Sequence, residues 1–259
     1  MARHGRTKQR LTAPLRHRDF RLLITSFFIS FAGSWAYNVA LAVYVFEQTG
    51  SAAWVGAATV GRFVPSLLLG AYGGVLADRF ERVRLMASLD VMSTVLMAGL
   101  ALLAAFEGPV LLAIVLAGLT SVTGAVYEPA AAAITPETVP ESDLAAANAL
   151  RNMVDNVAIV GGPLLGALLL VAGPPPVVFL ANAASFAVSA VVILRMSVRS
   201  KPVDVTDAGS SGPLKQMMVG VRAIASSSTA SVLVAYSVAA SFVYGVDTVQ
   251  FVVLSEERL

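Results

Sequence analysis

The stretch from Gly73 to Arg84 reads GGVLADRFERVR and places a dense group of charges between two apolar segments. Five of the seven residues from Asp78 to Arg84 are charged, whereas each flanking segment, about Ala53–Ala77 and Leu85–Phe106, contains a single charged residue. A bilayer hydrocarbon core about 30 Å thick requires roughly 20 apolar residues for each spanning helix. The stretch is therefore predicted to be a short polar loop between two membrane-spanning helices.

The composition of the whole chain supports this interpretation. Of its 259 residues, 57% are hydrophobic and 13% are charged, whereas soluble domains are about half apolar and about a quarter charged. Apolar spans of this length are helical, because lipid offers backbone groups no hydrogen-bond partner. The chain is predicted to be an all-α membrane protein. It has no cysteine, which excludes a disulfide framework, a cysteine-ligated metal and a cysteine nucleophile.

Seven spans are predicted, and they divide the chain into four parts. These parts are a basic tail (1–20), a six-helix transmembrane domain (21–198), a linker (199–229) and a seventh transmembrane helix (230–254) that starts an incomplete C-terminal domain. Weak similarity between PSLLLG in span two and GPLLGALL in span five predicts that spans one to three and four to six form an inverted pair. The spans are about Arg21–Phe46, Ala53–Ala77, Leu85–Phe106, Val110–Ala133, Leu150–Ala172, Val177–Met196 and Ala230–Leu254.

The distribution of lysine and arginine predicts the orientation of these spans, because cytoplasmic loops carry an excess of both. The tail contains six of them, the second loop contains Arg79, Arg82 and Arg84, the sixth loop contains four, and the predicted outer loops contain none. The N terminus is therefore predicted to be cytoplasmic. The tail is interpreted as an anchor of this orientation and not as a nucleic-acid-binding arm. The expected location is the plasma (inner) membrane.

The linker begins with a polar segment, residues 199–213, that contains Gly209, Ser210, Ser211 and Gly212. After it, apolar residues recur at helical spacing with two basic residues on the other side. This pattern predicts either a short amphipathic helix on the cytoplasmic membrane surface or a cytoplasmic extension of span seven. The apolar residues are Leu214, Met217, Met218, Val221 and Ile224.

Three polar residues predict an outer gate. A charge at mid-helix costs about 2.5–3.5 kcal/mol on insertion scales, so each requires a reason. Asn38, Arg62 and Asp247 lie about seven or eight residues below the outer ends of spans one, two and seven. At about 1.5 Å per residue they share a depth of roughly 11–12 Å, which favours a water-accessible site formed by all three. The alternative is that Arg62 alone extends to the membrane surface.

Span five carries a polar stripe, Asn148, Asn152, Asp155 and Asn156, at the spacing of one helix face. Such a stripe either lines a cavity or bonds a neighbouring helix. Asp155 is the predicted proton-coupling acid, because burial disfavours the charged form of a carboxyl group.

Two further acids lie inside predicted spans. Asp90, near the inner end of span three, is expected to reach the membrane surface. Glu128, directly before Pro129 in span four, is expected to bond a basic partner from the charged inner loop.

Span five also contains a glycine-proline motif, Gly162–Pro163–x–x–Gly166, preceded by Gly161. Glycines let another helix approach closely, and a proline removes a backbone hydrogen bond and bends the helix. The motif predicts either a bend or sliding contact at a moving interface, or plain tight packing.

At this point the residues resemble a known family. The residues from Gly74 to Arg84 resemble the loop signature of the major facilitator superfamily, G-x-L-A-D-R-x-G-R-R/K, with Glu81 in place of the second glycine and Val83 in place of a basic residue. The span-five motif resembles the glycine-proline signature of antiporters in that family. The stretches YNVALAVYVFEQTGSAAWVG (37–56) and VPESDLAAANALRNMVDNVAIVGGPLLG (139–166) are similar to its branch of macrolide-efflux and enterobactin-exporter-like permeases.

The resemblance implies the six-helix N-terminal bundle of a twelve-span fold plus span seven. It implies secondary active efflux of a small amphipathic compound, drug or siderophore-like, by alternating access and coupled to protons. The expected partners are the lipid bilayer, the small-molecule substrate, protons and the missing C-terminal half. The second loop would be a conformational latch against span eleven of that half, formed by Gly74, Asp78, Arg79, Arg82 and Arg84. The alternative is a transport-incompetent truncated half-transporter or a membrane interaction module.

An enzyme is not expected. The only histidines, His4 and His17, lie in the basic tail, and the chain contains no H-E-x-x-H motif, P-loop or nucleophile elbow. We expect neither a cofactor nor a metal site.

Overall fold

A computed structural model describes residues 11–200 and a few positions beyond them, 222, 226–229, 231, 232 and 236. Residues 11–200 form a short 3₁₀ helix, Ala13–Arg16, and six long helices with no strand between them. The long helices are α1 (Arg18–Thr49), α2 (Ala52–Arg79), α3 (Arg82–Ala105), α4 (Val110–Thr138), α5 (Glu141–Ala172) and α6 (Pro175–Leu194).

Each of the six helices is long and apolar enough to cross a membrane. The predicted fold class, an all-α membrane protein, is confirmed. The tail before Leu11, the helical pattern at 214–224 and span seven (Ala230–Leu254), with Asp247, lie wholly or almost wholly outside the described residues.

Helices α4 and α5 extend beyond the predicted spans at the loop that connects them. Helix α4 continues to Thr138 and α5 begins at Glu141, whereas the predicted spans end at Ala133 and begin at Leu150. The extra turns are polar, and a helix can continue beyond the hydrocarbon core because its backbone bonds are internal. The first turn of α5 contains Glu141 and Asp143, whose charges are favourable at a helix N-terminus.

The helices do not pack in chain order. Helix α2 packs mainly on α4, α3 packs on α6 and α4, and α1 packs on α5 and α6. Exchanging α1 with α4, α2 with α5 and α3 with α6 maps the α2–α4 contact onto α1–α5 and the α1–α6 contact onto α3–α4. The packing therefore has the twofold pattern that the predicted inverted pair requires.

The two equivalent contacts, α2–α4 and α1–α5, are both made through glycines. A Cβ on Gly118 of α4 would lie 2.9 Å from the carbonyl oxygen of Gly61 in α2, and a Cβ on Gly73 would lie 3.1 Å from the Cα of Val126. Gly162 and Gly166 occupy the corresponding place between α5 and α1. Small residues let the backbones approach, and the contact is stabilised by van der Waals packing.

The core of the bundle is mainly apolar and consists of separate clusters of buried side chains along its length. One cluster of buried side chains surrounds Tyr44, Leu100 and Phe179, and a second surrounds Met86 and Ile134. Helices α2 and α5 contribute least to it, because a smaller fraction of their described residues is buried than in the other four helices. The other helices of the described bundle therefore leave most of the described surface of α2 and α5 uncovered.

Charge separates the two ends of the bundle. The end where α1 begins and α2, α4 and α6 finish, called here the charged end, carries arginine and acidic side chains on α1 and α2, Glu137 on α4 and Arg195 directly after α6. At the opposite end, Glu47 lies in the last turn of α1 and Glu107 in the loop before α4, and the described loops there contain no lysine or arginine.

Candidate functional site

The loop between α2 and α3 is short because α3 begins almost where α2 ends. Phe80 terminates α2, and Glu81 is the N-cap of α3. The two carboxylate oxygens of Glu81 accept hydrogen bonds from the backbone N–H groups of Val83 (3.1 Å) and Arg84 (2.9 Å). The residue that replaces the second glycine of the loop signature thus satisfies two of the free donors at the start of α3.

Arg82 joins this loop to the rest of the charged end. Its guanidinium forms an ion pair with Glu137 near the end of α4 and lies 3.8 Å from the carboxylate of Asp78. Its backbone N–H donates to the hydroxyl of Ser200, 3.1 Å away, in the segment after α6. Only 13% of the Arg82 side chain is exposed, so this residue has a structural role within the bundle.

The other predicted latch residues are more accessible. The side chains of Asp78 and Arg84 are 59% and 82% exposed, and Arg79 is also exposed. A Cβ on Gly74 would meet no atom within 4 Å, whereas its neighbour Gly73 lies against the backbone of α4. The contact of the latch with span eleven stays a prediction.

A second set of contacts at the charged end was missed by sequence reasoning. Asp19 accepts backbone hydrogen bonds from Ser197 (3.0 Å) and Val198 (2.8 Å). Arg18 donates to the Ser197 hydroxyl (2.7 Å) and to the carbonyl oxygen of Arg195 (3.0 Å). These bonds hold the start of the linker against the start of α1. In the sequence, the only feature that could have indicated these bonds is Asp19, a single acid in a strongly basic segment.

Arg62 has a partner that the sequence analysis did not consider. Its guanidinium carbon lies 4.6 Å from the ring centroid of Phe63 and 5.7 Å from that of Tyr37, distances at which a cation is attracted to an aromatic ring. Asn38, the next residue after Tyr37, has a buried Oδ1 with no hydrogen-bond partner. Asp247 lies outside the described residues, so the three-residue gate stays a prediction.

The polar stripe of α5 lies on an exposed face of the described bundle. Asn148, Asn152 and Asn156 are exposed, and the amide of Asn156 donates to the Asn152 carbonyl oxygen (2.7 Å) in its own helix. Asp155 is half-buried, and its Oδ1 is buried without a hydrogen-bond partner. Asp155 is therefore the member of the stripe with a buried carboxylate oxygen that could accept a hydrogen bond or a proton.

Glu128 has the basic partner that was expected, but this partner is Arg151 of α5. The two side chains form an ion pair between α4 and α5. The guanidinium carbon of Arg151 also lies 5.0 Å from the ring centroid of Phe27 in α1. Three helices therefore meet at Arg151.

The expectation that Asp90 reaches the membrane surface is wrong. Asp90 is 2% exposed and lies between α3 and α6, where the hydroxyl of Ser189 donates to its Oδ2 at 2.6 Å. One turn further along α3, the hydroxyls of Ser93 and Thr123 share a hydrogen bond of 2.5 Å. The inward rotation of α3 places these groups in a polar layer inside the apolar core.

The span-five glycines form a contact surface with α1. A Cβ on Gly162 would overlap the side chain of Trp35, and a Cβ on Gly166 would overlap the carbonyl group of Ala36. A Cβ on Gly161 would meet nothing within 4 Å. Pro163 lies within the helix between these positions. In the described conformation, the motif supports tight packing of α5 on α1.

The chain is similar to known proteins along most of its length. The family model described as Major Facilitator Superfamily matches residues 23–257. The chain is 24% identical over 198 residues to the Staphyloferrin A transporter of Staphylococcus aureus (strain NCTC 8325 / PS 47), a match that covers 75% of this chain and 49% of the relative.

Two other relatives have names that describe export. The chain is 29% identical over 142 residues to the Macrolide efflux protein A of Streptococcus pyogenes, covering 54% of this chain and 35% of the relative. It is 29% identical over 210 residues to the Enterobactin exporter EntS of Shigella dysenteriae serotype 1 (strain Sd197), covering 80% of this chain and 49% of the relative. The chain thus spans about half or less of the length of these relatives.

Proposed function

This chain belongs to the Major Facilitator Superfamily, and from that premise we propose that its protein exports a small amphipathic compound by alternating access, driven by protons. The observation that carries the proposal is the family match along residues 23–257, together with relatives named for macrolide efflux and enterobactin export. The chain is a multi-pass membrane protein whose relatives include proteins named as exporters. The substrate class, the proton coupling and the direction are the proposed part.

The surface of the bundle supports a second half packed against it. Helices α2 and α5 are related by the internal twofold pattern and are the two least buried helices. Their exposed apolar side chains include Phe63 and Leu68 on α2 and Val160 and Leu164 on α5. A pair of equivalent helices with free faces suits an interface with a second six-helix bundle, across which the two halves would rock.

The membrane orientation is part of the same proposal. Arginines at the charged end and their absence from the described loops of the opposite end support a cytoplasmic charged end. Export from the cytoplasm would then load substrate from the side that carries the α2–α3 loop. We propose the plasma membrane as the location.

A second candidate function is a membrane module that binds or regulates another protein without transporting. The observation that favours it is the exposed apolar side chains on α2 and α5, which would also suit a partner protein. Transport by the complete gene product is the property that separates the two candidates.

Inverted membrane vesicles containing the complete gene product provide the test. An imposed pH gradient, acid inside, should drive accumulation of at least one compound from a panel of macrolides and catecholate siderophores, and a protonophore should abolish it. Vesicles without the protein are the control. Accumulation equal to the control for the whole panel contradicts export of these compound classes, and accumulation unaffected by the protonophore contradicts proton coupling alone.

A further inference from the structure

Two carboxylates, one in α4 and one in α5, lie near a single guanidinium, that of Arg151. Arg151 pairs with Glu128 across the two helices, and its side chain is 16% exposed. Asp155 lies four residues after Arg151, and side chains at this spacing are neighbours on one helix face. The ion pair and this spacing place Glu128, Arg151 and Asp155 in one cluster where α4 and α5 meet.

The charges of this cluster do not cancel. Arg151 is engaged by Glu128, and the Oδ1 of Asp155 is buried with no hydrogen-bond partner. One positive and two negative groups leave a net charge of about −1 when all three are ionised. The Glu128 side chain is 46% exposed, so the unpaired charge falls mainly on the half-buried Asp155. Removing such a charge from water is costly, so the cluster has a place for one additional positive charge.

The surroundings supply no other counter-charge among the described residues. The small cavity beside Arg151 is lined from α1 and α4 by Phe20, Leu23, Ile24, Phe27, Ala131 and Thr135. Toward the charged end of α5, Asp143 is paired with His17. Asp143 precedes Arg151 by eight residues, about 12 Å along the helix. On α4, the hydroxyl of Tyr127, the residue before Glu128, is buried with no hydrogen-bond partner among the described residues.

We propose that Glu128, Arg151 and Asp155 form a single proton-binding unit, in which Arg151 neutralises one carboxylate and a proton neutralises the other. This inference rests on the proposed proton coupling and extends it from Asp155 alone to the cluster. In the described conformation, Arg151 is on Glu128 and the proton binds to Asp155, forming one O–H bond. If the guanidinium moves one turn to Asp155, that proton is released and Glu128 becomes the acceptor.

The position of the unit suits a switch. Helices α4 and α5 make few other contacts with each other, whereas α5 packs tightly on α1. A displacement of α5 together with α1 relative to α4 therefore changes the Glu128–Arg151 distance and leaves the Arg151–Asp155 spacing, which lies within one helix, unchanged. Movement of the helices is in this way linked to which carboxylate holds the proton.

Infrared titration of the purified complete protein in nanodiscs tests the unit without any substrate. The infrared absorption band of protonated carboxyl groups should contain a component from Asp155, and this component should be absent in Asp155→Asn. Glu128→Gln frees Arg151 for Asp155, so that component should titrate at lower pH. Arg151→Gln removes the positive charge, so it should titrate at higher pH. We expect each shift to be about one pH unit or more, since a charge this close moves a carboxyl titration by roughly 1–3 units.

Two further variants make the test specific. Arg151→Lys keeps the positive charge and should titrate close to wild type, which shows that charge and not helix packing is responsible. Glu141→Gln removes an exposed carboxylate from the first turn of α5 and should leave the component unchanged. Shifts of opposite sign in Glu128→Gln and Arg151→Gln support the unit, and shifts of the same sign or none overturn it.

Failure of this inference can be told apart from failure of the proposed function. Opposite titration shifts in a protein that transports nothing would support the unit and contradict the exporter. Proton-driven accumulation in vesicles, combined with titrations that do not respond to Glu128 or Arg151, would support the exporter and contradict the unit.

Discussion

At Glu81 the chain replaces a glycine of the family signature with a side chain that caps the following helix. The cap bonds of Glu81 reach Val83 and Arg84, and the next residue, Arg82, pairs with Glu137 of α4. The loop is therefore held by its own side chains and does not need the tight backbone turn that a glycine allows. The departure from the signature is a local solution for the start of α3.

Replacing Glu81 by alanine should reduce stability with little effect on activity. Loss of an N-cap costs about 1 kcal/mol, so the thermal midpoint of the purified protein should fall. Glu81→Asp keeps an acceptor at the cap and should retain most of the stability, which makes it the matched control. An unchanged midpoint in Glu81→Ala would show that water satisfies these donors equally well.

At the scale of the helices, packing is determined by where glycines allow backbones to meet. Gly162 and Gly166 bring α5 onto α1, and Gly61, Gly73 and Gly118 bring α2 onto α4. The two contacts are equivalent under the internal twofold pattern. Gly161, one residue from Gly162, faces open space, so the motif contains both a contact glycine and a free one.

This difference predicts that Gly→Ala substitutions at two positions of the motif, Gly166 and Gly161, have different effects on stability. Gly166→Ala places a methyl group against the backbone of Ala36, and overpacking of this kind typically costs 1–3 kcal/mol. Its thermal midpoint and its transport rate should both fall. Gly161→Ala adds a methyl group in open space and favours the helix, so it should be as stable as wild type. Equal behaviour of the two variants would contradict the α1–α5 contact.

At the scale of the whole molecule, the bundle is asymmetric in charge and in exposed surface. Charged side chains gather at one end, and α2 and α5 are the least buried helices. The asymmetry in charge bears on the orientation of the bundle in the membrane. The exposed faces of α2 and α5 bear on how a second half of the transporter would pack against it.

The charge asymmetry predicts the topology. Reporter fusions after Lys201 should be active in the cytoplasm, and fusions after Pro175 should be active outside, because arginines favour the cytoplasmic side. An alkaline phosphatase and a fluorescent protein fused at the same two positions provide complementary readouts. The same location for both positions would refute the orientation.

The exposed charge of Asp78 predicts a role that depends on the second half. In the complete protein, Asp78→Asn should be expressed and oriented normally but should transport more slowly, because a latch that closes one state would be weakened. Labelling of single cysteines in the inner cavity should increase. Arg79→Ala, at the adjacent exposed position, should have a smaller effect. Wild-type transport and labelling in Asp78→Asn would leave the loop with an orienting role only.

Hydrophobic length and charge along the chain determined the membrane fold and the helices of residues 11–200, because a spanning helix needs only a local run of apolar residues. The tertiary structure decided which side chains meet. Glu128 with Arg151, Arg62 with Phe63 and Tyr37, and the buried Asp90 with Ser189 depend on which helices are neighbours and how each is rotated. Periodicity along one helix identifies a polar face, but the element that this face contacts is determined by packing between helices distant in sequence. This is why Asp155 was predicted as a single acid, whereas the cluster around Arg151 emerged only when α4, α5 and α1 came together.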